Sequence, residues 1–208
     1  MKINSKVYAL DSTKGNYAYI IQDEEIVLID TGRPGQGKNI LKELKSMGIK
    51  PEDIKHILIT HYDIDHVGNV ALLEAATNAT IWASEEEIPY ILGDKSRHGI
   101  KKYFSYIMRV KKPENIKSYP ENQKIGEIEI IPTPGHTPGH VCMLYEDVLF
   151  VGDLVRNSKG QIKPMRTMIN WDENVLKESI KKMDNYSFNW VCPAHGEPIM
   201  RNNVRIDI

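Results

Sequence analysis

The sequence predicts an α/β domain arranged as a four-layered αββα sandwich, in which two β-sheets pack face to face between outer helices. Three observations favour this arrangement. Apolar runs of strand length recur in both halves of the 208-residue chain, amphipathic helical segments separate them, and no long linker or low-complexity stretch divides the sequence. Periodicity alone fits an ordinary layered α/β fold equally well, so the choice between the two depends on the motifs.

The N-terminal segment is predicted to form strands followed by a helix. Strands are expected at 6–10, 16–21 and 25–30, and the polar stretch between the last two is expected to be a hairpin turn. A helix is expected over 38–47, because its apolar residues repeat at helical spacing. Gly48 stands where a C-terminal cap belongs.

The remaining elements follow from the same patterns. Further strands are predicted at 56–60, 80–84, 128–132, 140–145, 148–152 and 189–193, and further helices at 67–76 and from Asp172 to about Met183. Asp172 is expected to be the N-cap of the last helix, because a short carboxylate side chain can accept hydrogen bonds from the free N–H groups of the first turn. A single domain over 1–208 is the expected organisation.

Composition excludes several classes of function. With 27 basic and 28 acidic side chains and a formal net charge of -1, the chain lacks the positive excess of a nucleic-acid or membrane-surface binder. No apolar run is long enough for a signal peptide or a membrane span, so a cytoplasmic location is expected. Cys142 and Cys192 are too few for a disulfide framework or a Cys-based metal site, and they are predicted to be small buried hydrophobes.

The densest chemical signal is a short segment between a predicted strand and a predicted helix. It holds four groups able to bind a divalent metal within six residues, namely His61, Asp63, Asp65 and His66. Alternate residues of an extended segment point to the same side, so the first three can converge. Imidazole together with carboxylate suits zinc, iron or manganese better than calcium or magnesium. Taken alone, the motif also fits a polar loop with surface histidines.

Further candidate ligands come at or shortly after the ends of apolar strands, namely His136, Asp153 and His195. His136 lies in a loop rich in proline and glycine, which is typical of a rigid segment that presents a side chain. A lone Asp or His at a strand end is usually a turn residue, but several such positions in one short chain favour a shared metal site. His56 and His98 are predicted to face solvent and to bind no metal.

These motifs resemble those of the metallo-β-lactamase-fold hydrolases, a superfamily that includes glyoxalase II-type thioesterases and lactonases. The family pattern is His-x-His-x-Asp-His, then a His in a Gly-His-Thr-Pro-Gly-His loop, then a bridging Asp and a final His. In this sequence the matching positions run from His61 to His195, and the Leu-Ile-Asp-Thr-Gly segment at 28–32 also matches. The resemblance implies the αββα fold and says little about the substrate.

The resemblance also implies roles for individual residues. The first metal ion would take His61, Asp63 and His136, the second would take Asp65, His66 and His195, and Asp153 would bridge them. A hydroxide shared by the two ions would attack a carbonyl carbon or a phosphorus centre. Asp65 would also act as the catalytic residue that orients this hydroxide or passes a proton to the leaving group. Asp30 and His140 would support the ligand loops from behind.

One position departs from the family pattern, since Asp63 stands where the second His is usual. Flavodiiron oxygen reductases, which carry an additional flavin domain, have a Glu at that place, so the departure also fits iron. Two divalent metal ions are expected, zinc first, with iron or manganese as the alternatives. The primary hypothesis is a metal-dependent hydrolase of an ester-like bond, such as a thioester or a lactone. A non-haem iron oxidoreductase and a non-catalytic metal-binding protein are the alternatives.

The stretch from 84 to 120 is predicted to be a helical insert that forms part of the pocket wall. Ile100, Tyr103, Phe104 and Ile107 follow helical spacing and form an apolar stripe. Residues 95–112 of this insert hold no acidic residue and seven basic ones, namely Lys95, Arg97, Lys101, Lys102, Arg109, Lys111 and Lys112. They form either a solvated helix face or a lid that attracts a small anionic substrate. The sequence carries no signal for an oligomeric state.

Overall fold

The computed structural model of the chain describes residues 1–97, 101 and 110–201. Its first β-sheet contains, in order, β1 Val7–Ala9, β2 Tyr19–Gln22, β3 Ile26–Ile29, β4 Ile54–Leu58, β5 Thr80–Ala83 and β6 Ile116–Ser118. The pairs from β1 to β3 are antiparallel, whereas those from β3 to β6 are parallel. The carboxyl ends of β3, β4 and β5 therefore lie at the same edge of this sheet.

The second β-sheet comes from the C-terminal half of the chain. Its strands are β7 Lys124–Ile125, β8 Ile128–Pro132, β9 Val141–Tyr145, β10 Val148–Gly152, β13 Trp190–Pro193 and β14 Ile199–Met200, and β11 Val155–Ser158 and β12 Gln161–Pro164 form a separate hairpin. The order across the sheet is β14-β13-β10-β9-β8-β7. Because β10 and β13 are parallel neighbours, the segments that follow them leave the sheet at one edge.

Helices pack outside the two sheets. They are α1 Gly37–Ser46, α2 Ile64–Val67, α3 Val70–Thr77, α4 Ile88–Ile91 and α5 Glu173–Lys182. The predicted N-cap of α5 is confirmed, since the Asp172 side chain accepts hydrogen bonds from the backbone N–H groups of Asn174 and Val175. Gly48 follows α1 with a φ of 81°, the left-handed conformation that glycine adopts readily after a helix.

The apolar core is divided into layers. Side chains of both sheets, among them Ile29 and Phe150, form one cluster between the sheets. Leu44 of α1 belongs to a second cluster with residues of the first sheet, and Leu176 of α5 belongs to a third with residues of the second sheet. The resulting order of helix, sheet, sheet and helix confirms the predicted four-layered αββα sandwich.

The helix predicted at 67–76 is in fact two helices, α2 and α3, because the chain bends at Gly68 and Asn69. A Cβ atom on Gly68 would lie 2.4 Å from backbone atoms of the loop after β3, so only glycine allows this close approach. The Asn69 side chain donates a hydrogen bond to the carbonyl oxygen of Thr31 at 2.6 Å. These contacts hold the predicted ligand segment against the first sheet.

Other elements differ in position or lie outside the prediction. β4 begins two residues before the predicted 56–60, and the strands absent from the prediction are β6, β7, β11, β12 and β14. Of the insert predicted at 84–120, the structure shows α4 and the edge strand β6. His98, Ile100, Lys102, Tyr103, Phe104, Ile107 and Arg109 lie outside the described residues, so the apolar stripe stays a prediction.

Within the part of the chain that is described, no helix combines the length and apolar composition needed to cross a bilayer.

The residues excluded from the metal site fall into two cases. Cys142 and Cys192 are fully buried free thiols, as predicted. His56 was expected to face solvent, and the structure corrects this. It is half-buried, its Nδ1 accepts a hydrogen bond from Trp82 Nε1 at 3.1 Å, and its Nε2 lies 3.3 Å from the Glu25 carboxylate. The reason is packing, because Trp82 on the neighbouring strand β5 covers the imidazole.

Candidate metal centre

The predicted ligand residues come together at one edge of the sandwich. His61 and Asp63 follow β4, Asp65 and His66 lie in α2, His136 follows β8, Asp153 follows β10 and His195 follows β13. They form two groups, the first of His61, Asp63, His136 and Asp153 and the second of Asp65, His66 and His195. Within each group the candidate ligand atoms lie within 4.8 Å of one another, which is close enough for each group to surround one ion.

Asp153 lies between the two groups. Its Oδ2 is 3.4 Å from His136 Nε2 and 3.3 Å from His195 Nε2, and its Oδ1 is 3.4 Å from His66 Nε2. One carboxylate thus faces imidazoles of both groups, which is the position that a bridging ligand requires. Burial alone would raise the pKa of Asp153, but the imidazoles of His195 and His66 outweigh it and hold this pKa well below its usual value.

A buried network behind the ligands orients two of the histidines. Asp30 accepts hydrogen bonds from the backbone N–H of Thr60 at 2.9 Å and from its hydroxyl at 2.8 Å, and Asp30 Oδ2 lies 2.7 Å from His66 Nδ1. Because a carboxylate only accepts, His66 carries a proton on Nδ1. The Thr60 hydroxyl donates to Asp30 and therefore accepts from His61 Nδ1, 3.0 Å away. In both histidines Nε2 is then the atom left to bind a metal.

His136 is oriented by Asn170, a residue that no sequence motif singles out. Asn170 Nδ2 donates to Glu173 Oε1 at 2.6 Å, so its Oδ1 is the atom that faces His136 Nδ1 at 2.8 Å. Nδ1 is thus the protonated nitrogen, and the lone pair of Nε2 faces Asp63 Oδ2 at 3.0 Å. Two acceptors at that distance repel each other unless a positive charge lies close to both.

His140 supports the site without belonging to either group. Its Nε2 accepts a hydrogen bond from the backbone N–H of Asp153 at 3.1 Å, and its Nδ1 lies 2.9 Å from Thr133 Oγ1. Burial, together with the nearby imidazole of His136, lowers the pKa of His140 to about 3, so the ring stays neutral and keeps accepting. The contacts of Asp30 and His140 agree with the supporting roles expected of them.

The donor set fits divalent cations. Its buried atoms without a hydrogen-bond partner among the described residues are His61 Nε2, His66 Nε2, Asp63 Oδ1 and Asp153 Oδ1. An unpaired buried polar atom is unfavourable by about 1–3 kcal/mol, so the convergence of several such atoms favours a bound cation. Burial, helped by the imidazole of His66, holds the pKa of His61 well below its usual value, and a neutral imidazole is the form that binds metal.

Lys101 contacts two residues of the first group. Its Nζ is 2.7 Å from Asp63 Oδ2 and 3.0 Å from His136 Nε2, and its side chain is buried. Burial alone would raise the pKa of Asp63, but the ammonium of Lys101 holds it well below its usual value. The sequence places Lys101 in a basic insert and carries no sign that it contacts two candidate ligands.

Glu87 joins the two loops that carry the first group, although its place in the acidic run 85–87 is typical of a solvated surface. The residue is 0% exposed. Its carboxylate accepts hydrogen bonds from the backbone N–H groups of Tyr62 at 2.6 Å and Gly139 at 2.8 Å. Burial raises the pKa of Glu87 to about 7. Tyr62 lies between His61 and Asp63, so Glu87 fixes this loop relative to the loop of His136.

We expect Glu87→Gln to lower the free energy of unfolding by about 1–3 kcal/mol, the penalty for leaving a buried hydrogen-bonding group unpaired. An amide has one acceptor oxygen, so its NH₂ group would face one of the two N–H groups that the carboxylate now satisfies. Glu86→Gln changes the adjacent, exposed side chain and should have almost no effect. Urea unfolding measures both variants, and equal stability would show that Glu87 does not hold the loops.

A cavity of about 700 Å³ opens onto the candidate ligands. Asp63, Asp65, Asp153 and His195 form part of its wall. The other lining residues include basic side chains on several loops and the apolar Met165 and Ile169. This volume is typical of a pocket for a small molecule.

Comparison with known proteins agrees with this geometry. A family model described as the metallo-beta-lactamase superfamily matches residues 12–195. The chain is 30% identical over 170 residues to the "Probable metallo-hydrolase MJ0296" of Methanocaldococcus jannaschii, covering 82% of this chain and 71% of that protein. The solved structure of TTHA1623 in a di-iron-bound form superposes with a TM-score of 0.73 at 24% identity, covering 93% of each chain. Rm3 metallo-beta-lactamase superposes with a TM-score of 0.71 at 20% identity, covering 91% of this chain and 75% of that one.

Proposed function

Because the chain belongs to the metallo-beta-lactamase superfamily, we propose that it is a hydrolase with two divalent metal ions that cleaves an ester-like bond in a small anionic molecule. A thioester, a lactone or a related compound is the expected substrate. One ion would be held by His61, Asp63 and His136, the other by Asp65, His66 and His195, with Asp153 shared. The observation that supports this most is the position of Asp153, whose two oxygens face imidazoles of both groups.

The chain's own residues determine orientation and proton movement at this site. The metal ions would supply acidified water as the nucleophile and would polarise the substrate oxygen. Asp65 is half-buried and lines the cavity, and its Oδ2 lies 3.5 Å from His195 Nε2. Its carboxylate would accept the proton of the attacking water and pass it to the leaving group. Asp30 and Asn170, which hold the imidazoles of His66 and His136, would keep the ligands in place during this step.

The identity of the ions separates this proposal from its main alternative, an iron-dependent oxidoreductase. Asp63 supplies a harder oxygen ligand than imidazole, which shifts preference toward iron or manganese relative to zinc, and one structural neighbour was solved in a di-iron-bound form. We expect zinc and hydrolysis. Elemental analysis of protein purified without added metal, together with an absorption spectrum for iron bands, separates the two. Bound iron, with no hydrolysis by either the iron or the zinc form, would favour the oxidoreductase.

The charge of the cavity wall supports the proposal that the substrate is anionic. Among the described residues, the basic ones in this wall are Arg33, Arg97, Lys101, Arg156 and Arg166. They outnumber the acidic residues of the wall even before the metal ions add their charge. Arg156 lines the cavity, and its guanidinium includes a donor, Nε, that has no hydrogen-bond partner among the described residues. A carboxylate or phosphate on the substrate would satisfy such a donor.

We expect Arg156→Gln to lower kcat/KM about ten-fold for a substrate that carries a carboxylate, because a hydrogen bond to a charged group contributes about 1.5–3 kcal/mol. The measurement compares the succinyl and butyryl thioesters of N-acetylcysteamine, which have equal acyl length and differ by one carboxylate. The rate for the butyryl thioester should not change. Lys177→Gln, which removes a positive charge from an exposed position of α5, should affect neither substrate.

The two thioesters also distinguish a wrong substrate class from a wrong reaction class. An equal loss on both substrates would contradict the anionic substrate and leave the hydrolase in place. No hydrolysis of either thioester, or of a lactone panel, by the metal-loaded protein would contradict the hydrolase itself.

A further inference from the structure

A buried lysine, Lys101, contacts the first of the two groups of candidate ligands. Lys101 Nζ lies 2.7 Å from Asp63 Oδ2, 3.0 Å from His136 Nε2 and 3.3 Å from the backbone oxygen of His136. Lys101 is only 8% exposed, so these acceptors replace the water that would otherwise surround the ammonium. The positive charge of Lys101 therefore lies against two of the four residues of the first group, Asp63 and His136.

His136 Nε2 cannot accept a hydrogen bond from Lys101 and bind a metal ion at the same time. Asn170 fixes the proton of His136 on Nδ1, which leaves the imidazole a single lone pair, at Nε2. That lone pair either accepts a hydrogen bond from the ammonium or binds an ion. Asp63 has further lone pairs, but an ion bound to it would lie beside a buried positive charge, and repulsion between buried charges is strong.

Within the described part of the chain, the second group has no such competitor. His66 Nε2 and Asp153 Oδ1 have no hydrogen-bond partner among the described residues. Among residues 1–97, 101 and 110–201, the ion pairs of Asp65 and Asp153 are with histidines and not with a lysine or an arginine. An ion can bind there without displacing another cation.

We infer that the ammonium of Lys101 competes with a metal ion for Asp63 and His136, so that the chain binds its two metal ions in sequence. The second position, formed by Asp65, His66 and His195 with Asp153, fills first and tightly. The first position fills more weakly, because its ion must displace Lys101 from Asp63 and His136. Asp63 is what makes this arrangement stable, since a carboxylate forms an ion pair with the ammonium and a neutral imidazole does not. The inference concerns metal binding alone and does not depend on the substrate.

Titration of Zn²⁺ into chelator-treated protein, followed by calorimetry and elemental analysis, tests this inference. The wild-type chain should bind one ion tightly and a second at least about ten-fold more weakly, the size of effect that groups beside metal ligands commonly have. Lys101→Met keeps a side chain of similar length without the charge. We expect it to strengthen the weaker site by a comparable factor and to leave the tighter site unchanged.

Two further variants complete the test. Lys111→Met removes a positive charge from an exposed position of the same region and should keep the wild-type pattern. If it strengthens the weaker site as much as Lys101→Met does, general charge is responsible and the inference is wrong. If circular dichroism shows that Lys101→Met is not folded, the same titration is made with Lys101→Gln, which also removes the charge. Two equally tight sites in the wild-type chain, or an unchanged weaker site in the folded Lys101 variant, would also overturn it.

Discussion

Replacing Asp153 with Ala is expected to lower kcat/KM by more than about 100-fold, because loss of a shared ligand should exceed the 10–100-fold that commonly follows loss of a residue behind a ligand. The change removes the one carboxylate that faces His66, His136 and His195. It would also leave the two proposed cations close together with less negative charge between them. The metal content of the purified variant should therefore fall with its activity. Steady-state kinetics and elemental analysis on the same preparation measure both effects.

The matched control is Asp94→Ala, which removes a carboxylate from an exposed position. It should keep both the activity and the metal content of the wild-type chain. Far-ultraviolet circular dichroism should show that Asp153→Ala is folded, because its side chain lies at a strand end and not in the apolar core. Full activity of Asp153→Ala with two ions bound would show that the metal site lies elsewhere.

Replacing Asp30 with Asn is expected to weaken metal binding about 10–100-fold, although Asp30 belongs to neither group of candidate ligands. The carboxylate accepts hydrogen bonds from Thr60 and from His66 Nδ1. In the variant, an NH₂ group must face either the Thr60 N–H or His66 Nδ1. The second arrangement moves the His66 proton to Nε2, the atom that would bind the metal. The backbone should tolerate the change, because Asp30 has a φ of 59° and Asn adopts that conformation more readily than most residues.

Burial alone would lower the pKa of His66, but the carboxylates of Asp30 and Asp153 hold it well above its usual value. Nitrogen chemical shifts of the chelator-treated protein, recorded at a pH high enough to leave this imidazole neutral, report the tautomer directly. The wild-type His66 should show its proton on Nδ1, and the Asp30→Asn variant should show a larger share on Nε2. Asp94→Asn makes the same chemical change at an exposed site and should leave the tautomer unchanged. Wild-type metal affinity in Asp30→Asn would contradict the role of the buried network.

The fold and the candidate ligands could be predicted from the sequence because both depend on local patterns. Asp153 directly follows the apolar strand β10, and His195 follows β13 after a single alanine. β10 and β13 are parallel neighbours, so side chains that follow them meet at one edge. The remaining ligand positions were predicted from the resemblance, since His61, His66 and His136 stand in motifs of the family.

Lys101, Glu87 and Asn170 could not be predicted, because their roles depend on contacts between distant parts of the chain. Glu87 accepts hydrogen bonds from residues 25 and 52 positions away, and its local sequence is an acidic run. Lys101 lies in the insert and forms an ion pair with Asp63, which lies outside it. A basic run such as the one around Lys101 is equally typical of a solvated helix face. The bend at Gly68 has the same cause, since only the close approach to the loop after β3 interrupts a helical pattern.

Anomalous X-ray scattering can measure whether Asp153 lies between two divalent metal ions. The measurement uses crystals saturated with Zn²⁺ and data collected on both sides of the zinc absorption edge. We expect two peaks in the anomalous difference map, both next to Asp153. One should lie among His61, Asp63 and His136, and the other among Asp65, His66 and His195. A map without zinc density at these positions, or with zinc only at other places on the protein, would contradict the account.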